Sequence, residues 1–526
     1  MLRGADRQQG FFDAAWCSEL LPEDSFYSLL AEHGDRIVRD EDFAECYSER
    51  QGRPSIPPSL LAKVLLLAYR EGLSDERAME AVRFDLRWKV ALDLPIDHPG
   101  FHPTSLVRYR ARLLLHGKER LVFERSLELA AELGLLEGEA EQIVDSTPML
   151  GAAAVQGTAT LVRSGVRKLL DAVAAIDAGA ASELEEGLRF DYSRPREKPA
   201  GDWEDKASRE ALLAEVAIDA VRVLRVVEED EELAACAEVA EAAKLLREIV
   251  GQEFEVEDDE VPRPRRGRRT RQIVSAHDPE MRHGRKTAAR PFTGYKIHAA
   301  AAAEVPILTA ISVSAANEHD GHHASSLVDQ QPAGRRPKRL LGDTAYGNVE
   351  AREELEQRSV SVLAPVHSTS PKEGTIPKEE FEIDLEADTV TCPRGKTAPI
   401  YKPRPNRKTP KRPSAIGERV AKFKRSECEP CPLRQRCSPG GQRDIRIRRR
   451  EDLRQAALRT LSDPAERDHL KRTRPRIERL LGLIVHRYQA RKSRYLGARK
   501  SELQAAWTAA LVNLHPIGAT LRANAA

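Results

Sequence analysis

The chain has 526 residues, 84 Lys or Arg against 83 Asp or Glu, and 41% hydrophobic residues, enough for two to four domains with at least one sizeable core. No stretch approaches the roughly 20 apolar residues of a membrane helix, and "MLRGADRQQG" has no apolar signal core, so a cytoplasmic protein without a membrane partner is expected. Seven cysteines, four of them clustered late, do not make the pattern of a secreted disulfide framework.

The net charge of +1 conceals a segregation. Residues 401–450 hold 17 Lys or Arg against 4 Asp or Glu, and residues 471–500 hold 11 against 1, so the rest of the chain is acidic. Such blocks suit a polyanion, nucleic acid above all, although a single Arg-rich run also fits a solvated loop.

Residues 1–140 read as an all-helical amino-terminal domain. "PSLLAKVLLLAYREG" aligns Leu60, Val64, Leu67 and Ala68 on one stripe and stops at Gly72. "SDERAMEAVRFDLRWKVAL" opens on Ser74 or Asp75, and "PTSLVRYRARLLLH" places Arg108 and Arg112 on one face with Arg110 nearby. Short helices with polar starts and exposed arginines fit a helix-turn-helix-like DNA reader, and equally a small helical bundle.

In residues 141–159, "EQIVDSTPML" reads as a short strand that ends on Asp145, followed by Ser146, Thr147 and Pro148. Residues 160–271 form a mostly helical insertion that closes in a charge junction, "EFEVEDDE" against "RPRRGRRTR", the pattern of a linker. Residues 272–367 alternate strands ("RQIVSAHD", "TGYKIHAAAA", "VPILTAISVSAA", "KRLLGD", "VSVLAPV") with helices ("GHHASSLVDQQ", "NVEAREELEQR"), which implies an α/β sheet of mixed direction. Here "LLGDTAYGNVE" ends an apolar run on Asp343, between Gly342 and Gly347, at the carboxyl end of a strand where α/β proteins place their chemistry. Asp145 and Asp343 become neighbours if their strands are adjacent. Asp278 in "SAHDPE" and Asp320 in "NEHDGHH" compete with them; they read as a turn former and a helix N-cap. His319, His322 and His323 read as surface or loop histidines.

Residues 368–450 form a basic, cysteine-containing insertion that is poor in apolar residues and expected to be mobile unless pinned. Cys392, Cys428, Cys431 and Cys437, spaced C-x35-C-x2-C-x5-C, are a candidate structural Zn²⁺ site, with free thiols in a loop as the alternative. Cys17, Cys46 and Cys236 read as packing residues. Residues 451–526 close the chain in helices. Ile477, Leu481, Ile484 and Tyr488 make an apolar stripe with Glu478 at its edge and Arg474 one turn before. A helical Glu is ordinarily a surface partner of a nearby Arg. The only acid in residues 471–500 is better read as a buried ligand that faces DNA and metal. Two Asp and one Glu offer the hard oxygens that can hold two Mg²⁺ (or Mn²⁺) about 4 Å apart.

"VDST", "GDTAYG" and "RPRIERLLG", in this order, resemble the DDE transposases of bacterial insertion sequences, whose catalytic domain is an RNase H-like fold. "GRPSIPPSLLAKVLLLAYREGLSDERAMEAVRFDLRWKVALDL", "FHPTSLVRYRARL", "SAHDPEMRHGRK", "TGYKIH" and "NEHDG" resemble the insertion-sequence eleven-eighty-two group, related to the insertion-sequence four/five superfamily. The resemblance implies an α/β, RNase H-like catalytic domain interrupted by a helical insertion and a Cys-containing insertion, behind an all-α N-terminal domain. It also implies Asp145, Asp343 and Glu478 as the metal-binding triad, terminal inverted repeats and target DNA as partners, and a homodimer in the synaptic complex. Related transposases carry a Tyr, Arg, Glu, Lys signature around the third acid. Arg474 fits its Arg, but Lys471 and Val485 stand at the Tyr and Lys positions, which leaves Arg487, Arg491 or Lys492 to hold DNA phosphates. The alternatives are an RNase H-like nuclease without strand transfer and an inactive, domesticated DNA-binding protein.

Overall fold

The structure, a computed structural model, describes residues 14–48, 54–136, 141–197, 199–256, 261–265, 267, 271–287, 289–367, 374–402, 419–438 and 440–525. The amino-terminal region is helical, with α1 (Phe26–Ile37), α2 (Pro58–Glu71), α3 (Asp75–Phe84), α4 (Leu86–Ala91), α5 (Thr104–Leu115) and α6 (Leu121–Glu132). Local chemistry sets the ends of these helices. Pro58 opens α2 where its missing N–H costs nothing, and Gly72, left-handed at φ +71°, closes it. Ser25, Ser74 and Asp85 accept backbone N–H groups at the starts of α1, α3 and α4.

β1 (Glu141–Leu150) leads into an insertion of α7 (Thr158–Ala174), α8 (Ala178–Glu186), α9 (Lys206–Glu229), α10 (Glu231–Ala235) and α11 (Ala237–Glu253), closed by the ribbon of β2 (Phe254–Glu255) and β3 (Arg263–Pro264). The insertion packs on its own core, which includes Val166, Leu169, Val223 and Leu246. The main sheet then adds β4 (Arg282–Thr287), β5 (Arg290–Ala302), β6 (Leu308–Ala315), β7 (Arg339–Leu341) and β8 (Ser361–Leu363). β5 pairs antiparallel with β1, β4 and β6, while β7 and then β8 continue the sheet in parallel beyond β1. Read across, the order is β6-β5-β1-β7-β8, with α12 (Ala324–Asp329) joining β6 to β7 and α13 (Val349–Glu356) joining β7 to β8.

β1 does not end at Asp145. It runs through Pro148 to Leu150, because its pairing with β5 holds from Gln142↔Ala302 to Leu150↔Gly294. Beyond the short β7, its other edge is taken by residues 491–493. Leu150 N–H donates to the Arg491 carbonyl (2.8 Å), Ser493 N–H donates to the Leu150 carbonyl (2.8 Å), and Arg491 Nη1 donates to the Pro148 carbonyl (3.1 Å). A proline without an N–H is accommodated where irregular chain and a side chain replace a regular strand.

The cysteine-containing region has more to bury than its composition suggests. β9 (Glu382–Asp384), β10 (Thr389–Thr391), β11 (Thr397–Tyr401), β12 (Arg419–Lys422) and β13 (Asp444–Ile447) form an antiparallel sheet, accompanied by α14 (Arg425–Cys428) and α15 (Arg434–Cys437). Ile376, Phe381, Val390, Ile400, Phe423 and Ile445 close a separate small core. The expectation of a coreless, mobile segment is corrected by alternation: in "DIRI", Ile445 and Ile447 point inward while Asp444 and Arg446 face solvent, so a basic average hides an apolar face.

The chain closes with α16 (Glu451–Ser462), α17 (Pro464–Thr473), α18 (Pro475–Gly482) and α19 (Ala498–Ala525). α17 is tied to the β1–β7 seam: Arg339 pairs with Glu141 (3.2 Å) and Glu466, and His469 also reaches Glu141. α19 is apolar around most of its circumference and correspondingly buried, between the amino-terminal helices and the main sheet. The rings of Tyr69 and Tyr109 lie against Trp507, with centroids 6.3 and 6.4 Å away. One continuous core therefore runs from α1 through α19 to β1, β5 and β6. Among the described residues no helix is long and apolar enough to cross a membrane.

Asn513 makes the polar link in that core: it accepts from Leu308 N–H (2.8 Å) and donates to the Leu308 carbonyl (2.9 Å) and to Ser126 Oγ (3.2 Å). Asn513→Ala strands both backbone groups of Leu308 and is expected to cost roughly 2–4 kcal/mol. Denaturant titration followed by circular dichroism and by tryptophan fluorescence should show both signals shifting together. A change confined to one of them would mean that the helical region and the sheet do not unfold as a unit.

Candidate active site

The parallel register of β1 and β7 pairs Glu141 with Arg339, Gln142 with Leu340 and Ile143 with Leu341. Two positions further along, both chains carry an aspartate, Asp145 on β1 and Asp343 just past β7. Asp343 opens a tight turn. Its Oδ1 accepts from Ala345 N–H (2.8 Å) and its carbonyl accepts from Tyr346 N–H (3.1 Å). Close approach explains the flanking glycines: a Cβ on Gly342 would meet the Tyr346 side chain at 2.8 Å, and one on Gly347 would meet the Pro365 carbonyl oxygen at 2.1 Å. α13 begins immediately afterwards, where Asn348 caps it by accepting from Ala351 N–H (2.7 Å).

Asp145, Asp343 and Glu478 line one cavity of about 380 Å³. Glu478 is not the buried ligand that the sequence suggests. Its side chain is 55% exposed and pairs with Arg474, one turn back, at 3.4 Å. Ile477, Leu481, Ile484 and Tyr488 are all buried, so the stripe beside Glu478 points into the core and turns the carboxylate out to the cavity mouth. That stripe does not ride on one regular helix, because α18 passes after Gly482 into a π-helical turn, Leu483–Arg487.

The Asp145 carboxyl is pushed up to about 6: burial is the main cause, and the charges of Asp343 and Glu478 add to it, against the Ser146 N–H bond (2.8 Å) and Arg474. Incompletely compensated carboxylates at one cavity are a donor set for a hard cation. Among the described residues no three His, Cys, Asp or Glu side chains stand close enough to ligate a single ion. Mg²⁺ ordinarily takes one or two carboxylates from a protein and completes its shell with water and phosphate.

The predicted DNA contacts divide. Arg474 and Arg491 line the cavity, whereas Arg487 and Lys492 are exposed outside its lining. On α5, Arg108 is exposed and Arg112 stacks over Tyr47 at 4.2 Å, while Arg110 is held by Asp75 at 2.9 and 2.5 Å. Sequence reasoning missed Arg285, Lys286, Phe292, Lys296 and His486, and gave Asp320 the wrong part; all six line the cavity. Most of them lie in "HGRK", "TGYKIH" and "NEHDG", stretches that stood out without a role. Asp320 is no N-cap: His319 takes that place, accepting from Gly321 N–H, while Asp320 accepts from Ser146 Oγ (2.8 Å) and Lys296 Nζ (2.6 Å). Asp278 is a buried tie, accepting from the Tyr295 hydroxyl (2.5 Å) and Gly497 N–H (3.2 Å). His323 stacks on the buried His298 with centroids 4.0 Å apart and reaches Glu318, so it is part of a packed cluster and not a loop histidine.

Cys392, Cys428, Cys431 and Cys437 line a second cavity, of about 210 Å³, where the end of β10 meets α14 and α15. Burial pushes the Cys437 thiol up and the other three cysteines add to this, against Arg443. Two tight turns present the sulfurs: Gly395 N–H donates to the Cys392 carbonyl (2.8 Å) and Cys431 N–H to the Cys428 carbonyl (3.2 Å). As with the carboxylates, no three of these thiols stand within the range of one ion as placed.

Residues 16–112 match the family described as Transposase domain (DUF772), and residues 391–517 match the family described as Transposase DDE domain. The first match spans α1 to most of α5; the second spans the cysteine cluster and Glu478 but neither aspartate. No curated protein and no solved structure matches the chain. The two family matches indicate a DNA transposase of the DDE type, an enzyme that acts on DNA.

The raised carboxyl at Asp145 carries a stability consequence. Its folded pKa, about 6, lies above its ordinary value of 3.8, so the protonated form is favoured in the fold and this advantage is lost as pH rises between those values. Above about pH 6 the metal-free chain carries the cost of the charged form, on the order of 1–3 kcal/mol. Asp145→Asn should therefore raise the thermal midpoint in EDTA at pH 8 and change it little at pH 4. Added Mg²⁺ should stabilise the wild type more than the variant. A variant less stable than wild type at pH 8 would show that Asp145 is not an uncompensated acid.

Proposed function

We propose that the chain is a transposase that binds transposon ends and cuts and joins DNA at Asp145, Asp343 and Glu478. One observation carries this reading: acids from two adjacent parallel strands and a carboxyl-terminal helix line one cavity that also holds Arg474, Arg491, Arg285 and Lys286. Three antiparallel strands extended by two parallel ones, in the order β6-β5-β1-β7-β8, support an RNase H-like catalytic unit built from residues 141–159, 272–367 and 451–526. In this reading residues 160–271 and 368–450 are insertions, and residues 1–140 recognise the terminal inverted repeats.

The three carboxylates would hold Mg²⁺ or Mn²⁺, which supplies an activated nucleophile and stabilises the leaving oxygen when bound. The chain supplies the rest. Asp145 must be ionised to take part, which its burial and the neighbouring charges of Asp343 and Glu478 oppose. The guanidinium groups of Arg474 and Arg491 hold the phosphate in line, and exposure at the mouth leaves Glu478 room to adjust to the duplex. Water attacks a phosphorus at the element end and the P–O3′ bond breaks, leaving a 3′-OH on the element. That hydroxyl then attacks a target phosphodiester and displaces its 3′ oxygen. Cutting of paired ends implies a homodimer in the synaptic complex.

The cysteine cavity is read as a structural Zn²⁺ site. Four thiolates, drawn closer together than they stand here, would tie β10 to α14 and α15 and leave no position open for water, so this site takes no part in hydrolysis. About one zinc per chain is expected by elemental analysis, with Cys428→Ser and Cys431→Ser losing it and loosening DNA binding while Mg²⁺ dependence stays unchanged. Fully active protein purified without zinc would dispose of this site and leave the triad untouched.

Incubation with a duplex carrying the element ends and Mg²⁺ should give nicks at the repeat boundaries, followed by joining to a target plasmid. Asp145→Asn, Asp343→Asn and Glu478→Gln should each reduce cutting to background while end binding persists. Near wild-type nicking by any one of them removes that residue from the site. Nicking without joining by the wild type identifies a nuclease, and binding with neither identifies an inactive DNA-binding protein.

A further inference from the structure

We infer that Lys296 is a DNA-phosphate contact inside the cleft and that Asp320 competes with the phosphate for its ammonium. The inference rests on the proposed function and adds a positioning device to it. Lys296 stands on β5 opposite Pro148 of β1, three residues along from Asp145, and its side chain is 13% exposed in the cavity lining. Its ammonium donates to Asp320 Oδ1 (2.6 Å) and to the Glu318 carbonyl (2.7 Å). An ammonium has three donors, so one is left over after these two bonds.

Asp320 is placed to hold this charge and also to give it up. Its second oxygen accepts from Ser146 Oγ (2.8 Å), the residue directly after Asp145, so the carboxylate bridges β1 and β5 at the edge of the acid cluster. A purely structural pair would have no need to line the cavity that holds Asp145, Asp343 and Glu478. A phosphate entering beside Asp145 places its oxygens within the same space, repels the Asp320 carboxylate and offers Lys296 an equivalent acceptor. Lysine suits the exchange because its charge is compact and its stem has several rotatable bonds; an arginine locked to the carboxylate by two parallel bonds would not transfer so readily. In the empty cleft the pair offsets part of the basic field, and in the filled cleft Lys296 joins Arg474 and Arg491 on the DNA backbone.

Competition and buttressing predict opposite signs for Asp320. The test uses the full-length chain carrying Glu478→Gln, so that an end duplex stays uncut with Mg²⁺, and reads binding by fluorescence anisotropy over a series of KCl concentrations. Lys296→Met should weaken binding and lower the slope of log affinity against log salt by about 0.9, the loss of one phosphate contact. Asp320→Asn, which keeps the shape and the acceptor for Ser146, should tighten binding several-fold, and the double variant should bind like Lys296→Met. Thermal midpoints measured alongside separate contact from folding. Weaker binding in both single variants, in step with lowered midpoints, makes the pair a structural buttress and overturns the inference. An unchanged slope in a folded Lys296→Met overturns it as well. A parent chain that cuts the duplex refutes the triad, and one that binds no duplex refutes the functional reading and this inference with it.

Discussion

The parallel pairing of β1 with β7 is the constraint on which the site depends. It brings together two aspartates that lie 198 residues apart in sequence, and a slip of one residue would turn one of them to the opposite face of the sheet. Register is held from both sides. The long ladder with β5 fixes β1, and the side chains of Glu141 and Arg339 connect the seam to α17, which sets where α18 can deliver Glu478. β1 thus serves the antiparallel half of the sheet, the parallel half and the carboxyl-terminal segment at Arg491 and Ser493 at once.

Around that seam, local stability is given up at Asp145. Asp145 is partly buried beside two other acids, with one backbone N–H and one arginine in opposition. Proteins break their own rules of burial mainly where a site is built. The surrounding bonds leave little slack: Asp343 is fixed by its turn, and Tyr346 fills the space against Gly342. Glu478, by contrast, is held by a single extended ion pair at the surface. Two of the acids are thus held by their surroundings, while the third stands at the cavity mouth.

Much of this was legible in the sequence, and the misses have identifiable causes. The three acids that line the cavity stand out in the sequence, Asp145 and Asp343 because apolar runs lead into carboxylates and Glu478 because it is the only acid in a basic stretch. The length of β1 was not legible, since Pro148 reads as a terminator and only the distant residues 491–493 explain its tolerance. Glu478 was misjudged as buried because helical position on the edge of a stripe does not say how wide the buried face is. Lys296 carries no signal of its own and Asp320 reads as a helix N-cap, until β5 and the turn at Asp320–His323 bring them together. The second sheet was hidden because a composition average over a basic segment erases a period-two pattern only four or five residues long.

α19 has a further consequence, for the order of events during synthesis. The amino-terminal helices leave the ribosome before α19, and the surface of α2, α5 and α6 that packs on Trp507 and its neighbours must wait for roughly four hundred more residues. Until then the apolar faces of those helices that end against α19 have no α19 to cover them. A chain cut short before residue 498 would keep every acid of the candidate triad and still lack the helix that joins its parts.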